Sequence, residues 1–202
     1  MKTLLTYFAT CSLLTSVLSA AVISTGQQPS ASSPAQSHAA SPAPQASATP
    51  PAPAARPGDV DSIEHILAAV YDVISGPPGK RDWDRFRSLY YPGARLIPSG
   101  RNDKGEITAH VATPDDYATR GQSYFDKEGF FEKSIANRIE VWDHIAHVWS
   151  TYESRHAKDD PKPFARGINS FQLIHDGHRW WILSVYWEGE DATHPLPAKY
   201  LK

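Results

Sequence analysis

"NSFQLIHDGHRWWILSVYWEGE", residues 169–190, places five aromatic rings in two short apolar runs on either side of Asp176-Gly177. Asp-Gly between alternating runs is a hairpin signal. A turn there sets Leu173 opposite Trp180, Phe171 opposite Ile182, Asn169 opposite Ser184 and Gly167 opposite Tyr186. The other face then holds Ile168, Ile174, Trp181, Leu183, Val185 and Trp187, so the hairpin is apolar on both sides.

Upstream, "SIANRIEV" and "IAHVWSTYES" flank "WDH" and read as a second hairpin. A tight turn at Asp143-His144 pairs Val141 with Ala146, Ile139 with Val148, Asn137 with Ser150 and Ile135 with Tyr152. Its reverse face carries Trp142, Ile145, His147 and Trp149 among charged residues. Two sheet faces therefore need cover.

Helices precede the sheet. Asp61-Ser-Ile-Glu64 has the form of a capping box, and Ile63, Ile66, Leu67, Val70, Tyr71 and Ile74 follow at helical spacing, predicting a helix over about 62–75. "SGPPGKR" stops it, Asp82 caps a short second helix, and Thr113-Pro-Asp-Asp116 opens a third through about Lys127. "ARLIPSG" and "EITAHVA" read as short strands between the second and third helices. This is an α+β pattern in which helices bury one sheet face.

The N-terminal region has a different character. Residues 1–21 show Lys2, an apolar run and small residues, the layout of a signal peptide, which implies export to the periplasm or beyond and no membrane span after cleavage. Residues 22–58 are nearly all Pro, Ala, Ser and Gln, too poor in large apolar groups to fold, and read as a disordered linker. Residues 59–202 form the domain. Cys11 lies in the leader, so disulfides, thiolate catalysis and cysteine metal sites are excluded from the mature chain. Net charge is −2, or −3 once Lys2 leaves, and no basic block suits nucleic acid.

The element order, together with "FRSLYYPGARLIPSG" (86–100) and "GINSFQLIHDGHRWWILSVYW" (167–187), resembles the NTF2-like superfamily, within it the SnoaL-like or DUF4440-like bacterial proteins. The resemblance implies a cone: a curved antiparallel sheet wrapped around the N-terminal helices, open to a pocket, with convex faces meeting in a homodimer. It implies no single function, since the superfamily spans isomerases, dehydratases, hydrolases, transport factors and assembly hubs. Gly93 in "YYPGA" stands where many relatives place Asp, so no catalytic residue carries over.

The pairing above puts Tyr71, Asn137, Ser150, Tyr152, Asn169, Ser184 and Tyr186 on the helix-facing side, candidates for lining a pocket or for bonding internally. Trp142, Trp149, Trp181 and Trp187 fall on the far side, a candidate dimer interface. His110 is the candidate base, although it has no orienting partner in the sequence. His144 and His147 straddle one turn and His175 and His178 the other, so neither pair has metal geometry, and no metal or cofactor is expected. Three functions stay open: a domain binding a small, largely apolar molecule, a lyase or isomerase using a pocket His or acid, and a dimeric assembly module without ligand.

Overall fold

The computed structural model describes residues 51–202. The leader and most of the linker lie outside them. The last linker residues join the domain: Ala55 packs on the core, and Arg56 pairs with Asp82 at 3.0 Å.

Three helices and six strands follow in the predicted order: α1 (Ile63–Ile74), α2 (Trp83–Ser88), β1 (Tyr90–Arg101), β2 (Ile107–Ala109), α3 (Pro114–Phe125), β3 (Phe131–Trp142), β4 (Ile145–Arg155), β5 (Ala165–His175) and β6 (Trp180–Gly189). Ser62, rather than Asp61, caps α1 by accepting from His65 N, while Asp82 caps α2 as predicted. Thr113 and Asp116 form a complete capping box on α3. The sheet runs β2-β1-β6-β5-β4-β3, antiparallel except for the β1–β6 pair. It curves without closing, and α1 lays Ile66, Leu67, Val70 and Tyr71 against its inner face, where Val148, Phe171, Leu173 and Ile182 complete the core.

The β3–β4 turn is the predicted one. Trp142 pairs with Ile145, and Asp143 adopts φ 50°, the left-handed geometry that a two-residue hairpin turn demands. Val141, Ile139 and Asn137 meet Ala146, Val148 and Ser150 in the expected register. At Ile135 the register slips, so that Ser134, not Ile135, faces Tyr152, and Glu132 faces Ser154. One extra residue in a strand exchanges its two faces beyond the bulge. Glu132 thereby points inward.

A second slip occurs in β6. The turn after β5 is wider than a two-residue turn, with His175 paired to Trp180, so Leu173 meets Ile182 rather than Trp180. An extra residue at Leu183 then pairs Phe171 with Val185, Asn169 with Trp187 and Gly167 with Gly189. The predicted Asn169–Ser184 and Gly167–Tyr186 pairs are therefore wrong. Ser184 faces Gln172, and Tyr186 is 45% exposed, both on the outer face. Trp187 turns inward and packs partly buried against the core, 6.4 Å from the Tyr117 ring.

Candidate functional site

Within the cone, α1 and the central strands bring Tyr71, Ser150 and Asn169 together. Tyr71 Oη lies 2.6 Å from Ser150 Oγ and accepts from Asn169 Nδ2 at 3.0 Å. All three residues are buried, so these bonds satisfy groups that water cannot reach. Tyr152 is buried beside them, with its hydroxyl over Gly167. A Cβ on that glycine would lie 2.5 Å from Tyr152 Oη, which is why the position has no side chain.

Glu132 is the functional group that sequence reasoning missed. Ser154 Oγ donates to its Oε2 at 2.7 Å, and its backbone N–H donates to Ser75 Oγ at the end of α1. Burial raises its carboxyl from 4.5 to about 7, with Ser154 and Asn169 opposing the rise. Although it lies deep in the fold, the residue keeps accessible surface, whereas Ser154 beside it is sealed. Burial, reinforced by the Glu132 charge, raises the phenols of Tyr71, Tyr117 and Tyr152 above their ordinary range, and Tyr90 is raised in the same way, with neighbouring phenols adding to the effect. A negative charge at Glu132 thus acts on all four phenols.

The hydroxyls of Tyr90, Tyr117 and Tyr152 have no hydrogen-bond partner among the described residues. Among these residues no sealed side-chain polar atom lacks a partner. Tyr117 and Trp187 are partly exposed, whereas Tyr71, Tyr90 and Asn169 are buried. Two hollows are lined by other residues. One, about 450 Å³, follows Gly76–Arg81, and one of about 650 Å³ lies between Lys162–Arg166 and Glu190–Asp191.

The other sequence candidates fall elsewhere. Asn137 is on the inner face but exposed, bonded through its Oδ1 to Ser134. His110, beyond β2, is exposed and accepts from Arg120 Nη1 at 2.6 Å, away from the cone interior. Trp142, Trp149 and Trp181 lie on the outer face as expected. Trp149 is partly covered by Tyr200, whose carbonyl accepts from Thr151 Oγ1. Among the described residues, no group of His, Cys, Asp or Glu could hold a metal ion.

No protein-family model matches the sequence, and no curated protein matches it. Solved structures do. A Nostoc punctiforme protein of unknown function with a cystatin-like fold aligns with a TM-score of 0.50 at 11% identity, covering 64% of this chain and 90% of its own. A Mycobacterium tuberculosis protein of unknown function also gives 0.50, at 12% identity over 67% of this chain and 75% of that one. An NTF2-like protein of unknown function from Methylobacillus flagellatus gives 0.43 at 13% identity, over 64% and 95%. Likeness at such identities speaks for the fold alone. The fold, helices followed by a curved, unclosed six-stranded sheet, is shared with the cystatin-like Nostoc protein.

Proposed function

We propose that the domain binds a small, largely apolar molecule in its cone, with Glu132 as the polar group that meets it. The observation that carries this reading is a carboxyl held deep among tyrosines while keeping accessible surface. Apolar walls with a few convergent polar groups are the usual make-up of a ligand site. Chemical-shift mapping with benzyl alcohol as a fragment probe tests it. Shifts centred on Glu132, Asn169, Tyr117 and Trp187 are expected. Shifts confined to the outer sheet face would overturn the reading.

One observation favours a second, enzymatic reading. A carboxyl titrating at about 7 is matched to general acid–base work at neutral pH, as in a lyase or isomerase. The test is deuterium wash-out from α-deuterated cyclohexanone. Turnover that rises with pH through about 7 and is lost in Glu132→Gln supports the enzyme, and equal wash-out by both proteins excludes it.

The outer face supports pairing of two copies. Trp142 is 74% exposed and Ile145 45%, and Tyr186, 45% exposed, lies further along the same face. Light scattering of Trp142→Ser with Tyr186→Ser should give a monomer mass. An unchanged dimer mass, or a native protein that is already monomeric, contradicts pairing through this face. Trp187→Ser does not test it, because that ring packs inward.

A further inference from the structure

Asp59, Glu153 and Glu190 are well-shielded carboxylates, and each is held by a guanidinium. Arg85 meets Asp59 at 2.8 Å, Arg155 meets Glu153, and Arg166 meets Glu190 at 2.5 Å. This is the ordinary solution for a shielded acid, because an unpaired buried charge costs several kcal/mol, roughly 3–5 when one partner of a pair is missing. Glu132 is the exception. Among the described residues it forms no ion pair, and the groups that stabilise its charge, the Ser154 hydroxyl and the Asn169 amide, are neutral.

The nearby cation cannot fill the vacancy. Arg81, whose charge reaches Tyr117, donates to the carbonyls of Ile74, Gly76, Pro77 and Gly79 at 2.9–3.0 Å and is committed to closing the loop after α1. The groups on which its charge acts are the phenols of Tyr71, Tyr117 and Tyr152, and Tyr152 lies two residues from Ser154 on the same face of β4. Aromatic faces attract cations, and phenol oxygens accept from N–H donors. An anionic ligand would meet an unneutralised carboxylate with no compensating donor.

From these observations we infer that the cone takes an organic ammonium ion with an apolar body, its charged nitrogen pairing with the Glu132 carboxylate beside the tyrosines. This rests on the ligand-binding reading above and adds the charge of the ligand. The ammonium supplies the cation that the protein withholds, so the pair forms where water competes weakly and is worth more than at the surface. Ser154 keeps Oε2 oriented, and the incoming N–H joins the neutral donors that already face the carboxyl.

Calorimetric titration of the full-length protein at pH 8 and low salt tests this with three probes of one shape: benzylamine, benzyl alcohol and benzoate. Benzylamine should bind at least tenfold more tightly than benzyl alcohol, benzoate should not bind, and Glu132→Gln should erase the preference for the amine. Circular dichroism confirms that the variant is folded, and the Gln Oε1 can still accept from Ser154. If benzyl alcohol or benzoate binds as well as benzylamine, or if the variant keeps the amine preference, the ammonium assignment falls while the cone remains a ligand site. If none of the three binds, both readings fall.

Discussion

Glu132 and Ser154 face each other across β3 and β4, and the serine hydroxyl donates to the carboxylate at 2.7 Å. This bond opposes the rise in pKa that burial imposes. A hydrogen bond to a charged group contributes about 1.5–3 kcal/mol, so Ser154→Ala should move the Glu132 titration upward by about one unit or more. The pH at which folding stability declines should move with it, measured by urea unfolding across pH 5 to 9. An unchanged midpoint would mean that the bond does not form in solution.

Glu132 also sets a stability cost of known sign. Its folded pKa of about 7 lies above the ordinary 4.5, so between these values the folded protein holds a proton that the unfolded chain has lost. Stability is therefore full below the lower value and declines as pH rises through the upper one, by an amount on the order of 3 kcal/mol. Glu132→Gln should remove that decline. Thermal unfolding should find the variant more stable than the native protein at pH 8 by about 2 kcal/mol, and no more stable at pH 4.

Tyr71 ties α1 to two strands through Ser150 and Asn169. Tyr71→Phe keeps the ring but leaves a buried hydroxyl and a buried amide without their partner. The expected loss is about 1–3 kcal/mol, read as a lower urea midpoint with unchanged slope. A neutral result would mean that water replaces the hydroxyl, and hence that the cone reaches as deep as Tyr71.

Gly167 is required by close packing. A Cβ there would lie 2.3 Å from the Glu188 carbonyl oxygen as well as against the Tyr152 hydroxyl. Gly167→Ala should destabilise by about 1–3 kcal/mol. Adding Tyr152→Ala should not restore stability, because the backbone carbonyl in β6 remains in the way. Full rescue by the double variant would place the conflict at the tyrosine alone.

The element order, the caps of α2 and α3, the apolar stripe of α1 and the Asp143-His144 turn were legible in the sequence, because period and turn chemistry are local signals. The site was legible only in part. Tyr71, Ser150, Tyr152 and Asn169 converge because they lie on α1, β4 and β5, and the two extra residues lie in β3 and β6 instead. Beyond Ile135 and Leu183 the alternation reverses, bringing Glu132 and Trp187 inward and turning Tyr186 out. Nothing local announces those two extra residues, which fit the curvature of a sheet wrapped on a helix. One signal was available: in "FFEKSIANRIEV" charged residues fall at both parities, Glu132, Arg138 and Glu140 against Lys133, which left the face of Glu132 undecided.

The central claim is that Glu132 is a carboxyl enclosed by tyrosines and left without a cationic partner. Its own titration tests this most directly, followed by the carboxyl carbon shift in protein labelled with ¹³C-glutamate and assigned by comparison with Glu132→Gln. A midpoint of about 7 is predicted. A midpoint near the ordinary 4.5 would place the group in water or beside a cation and contradict the account.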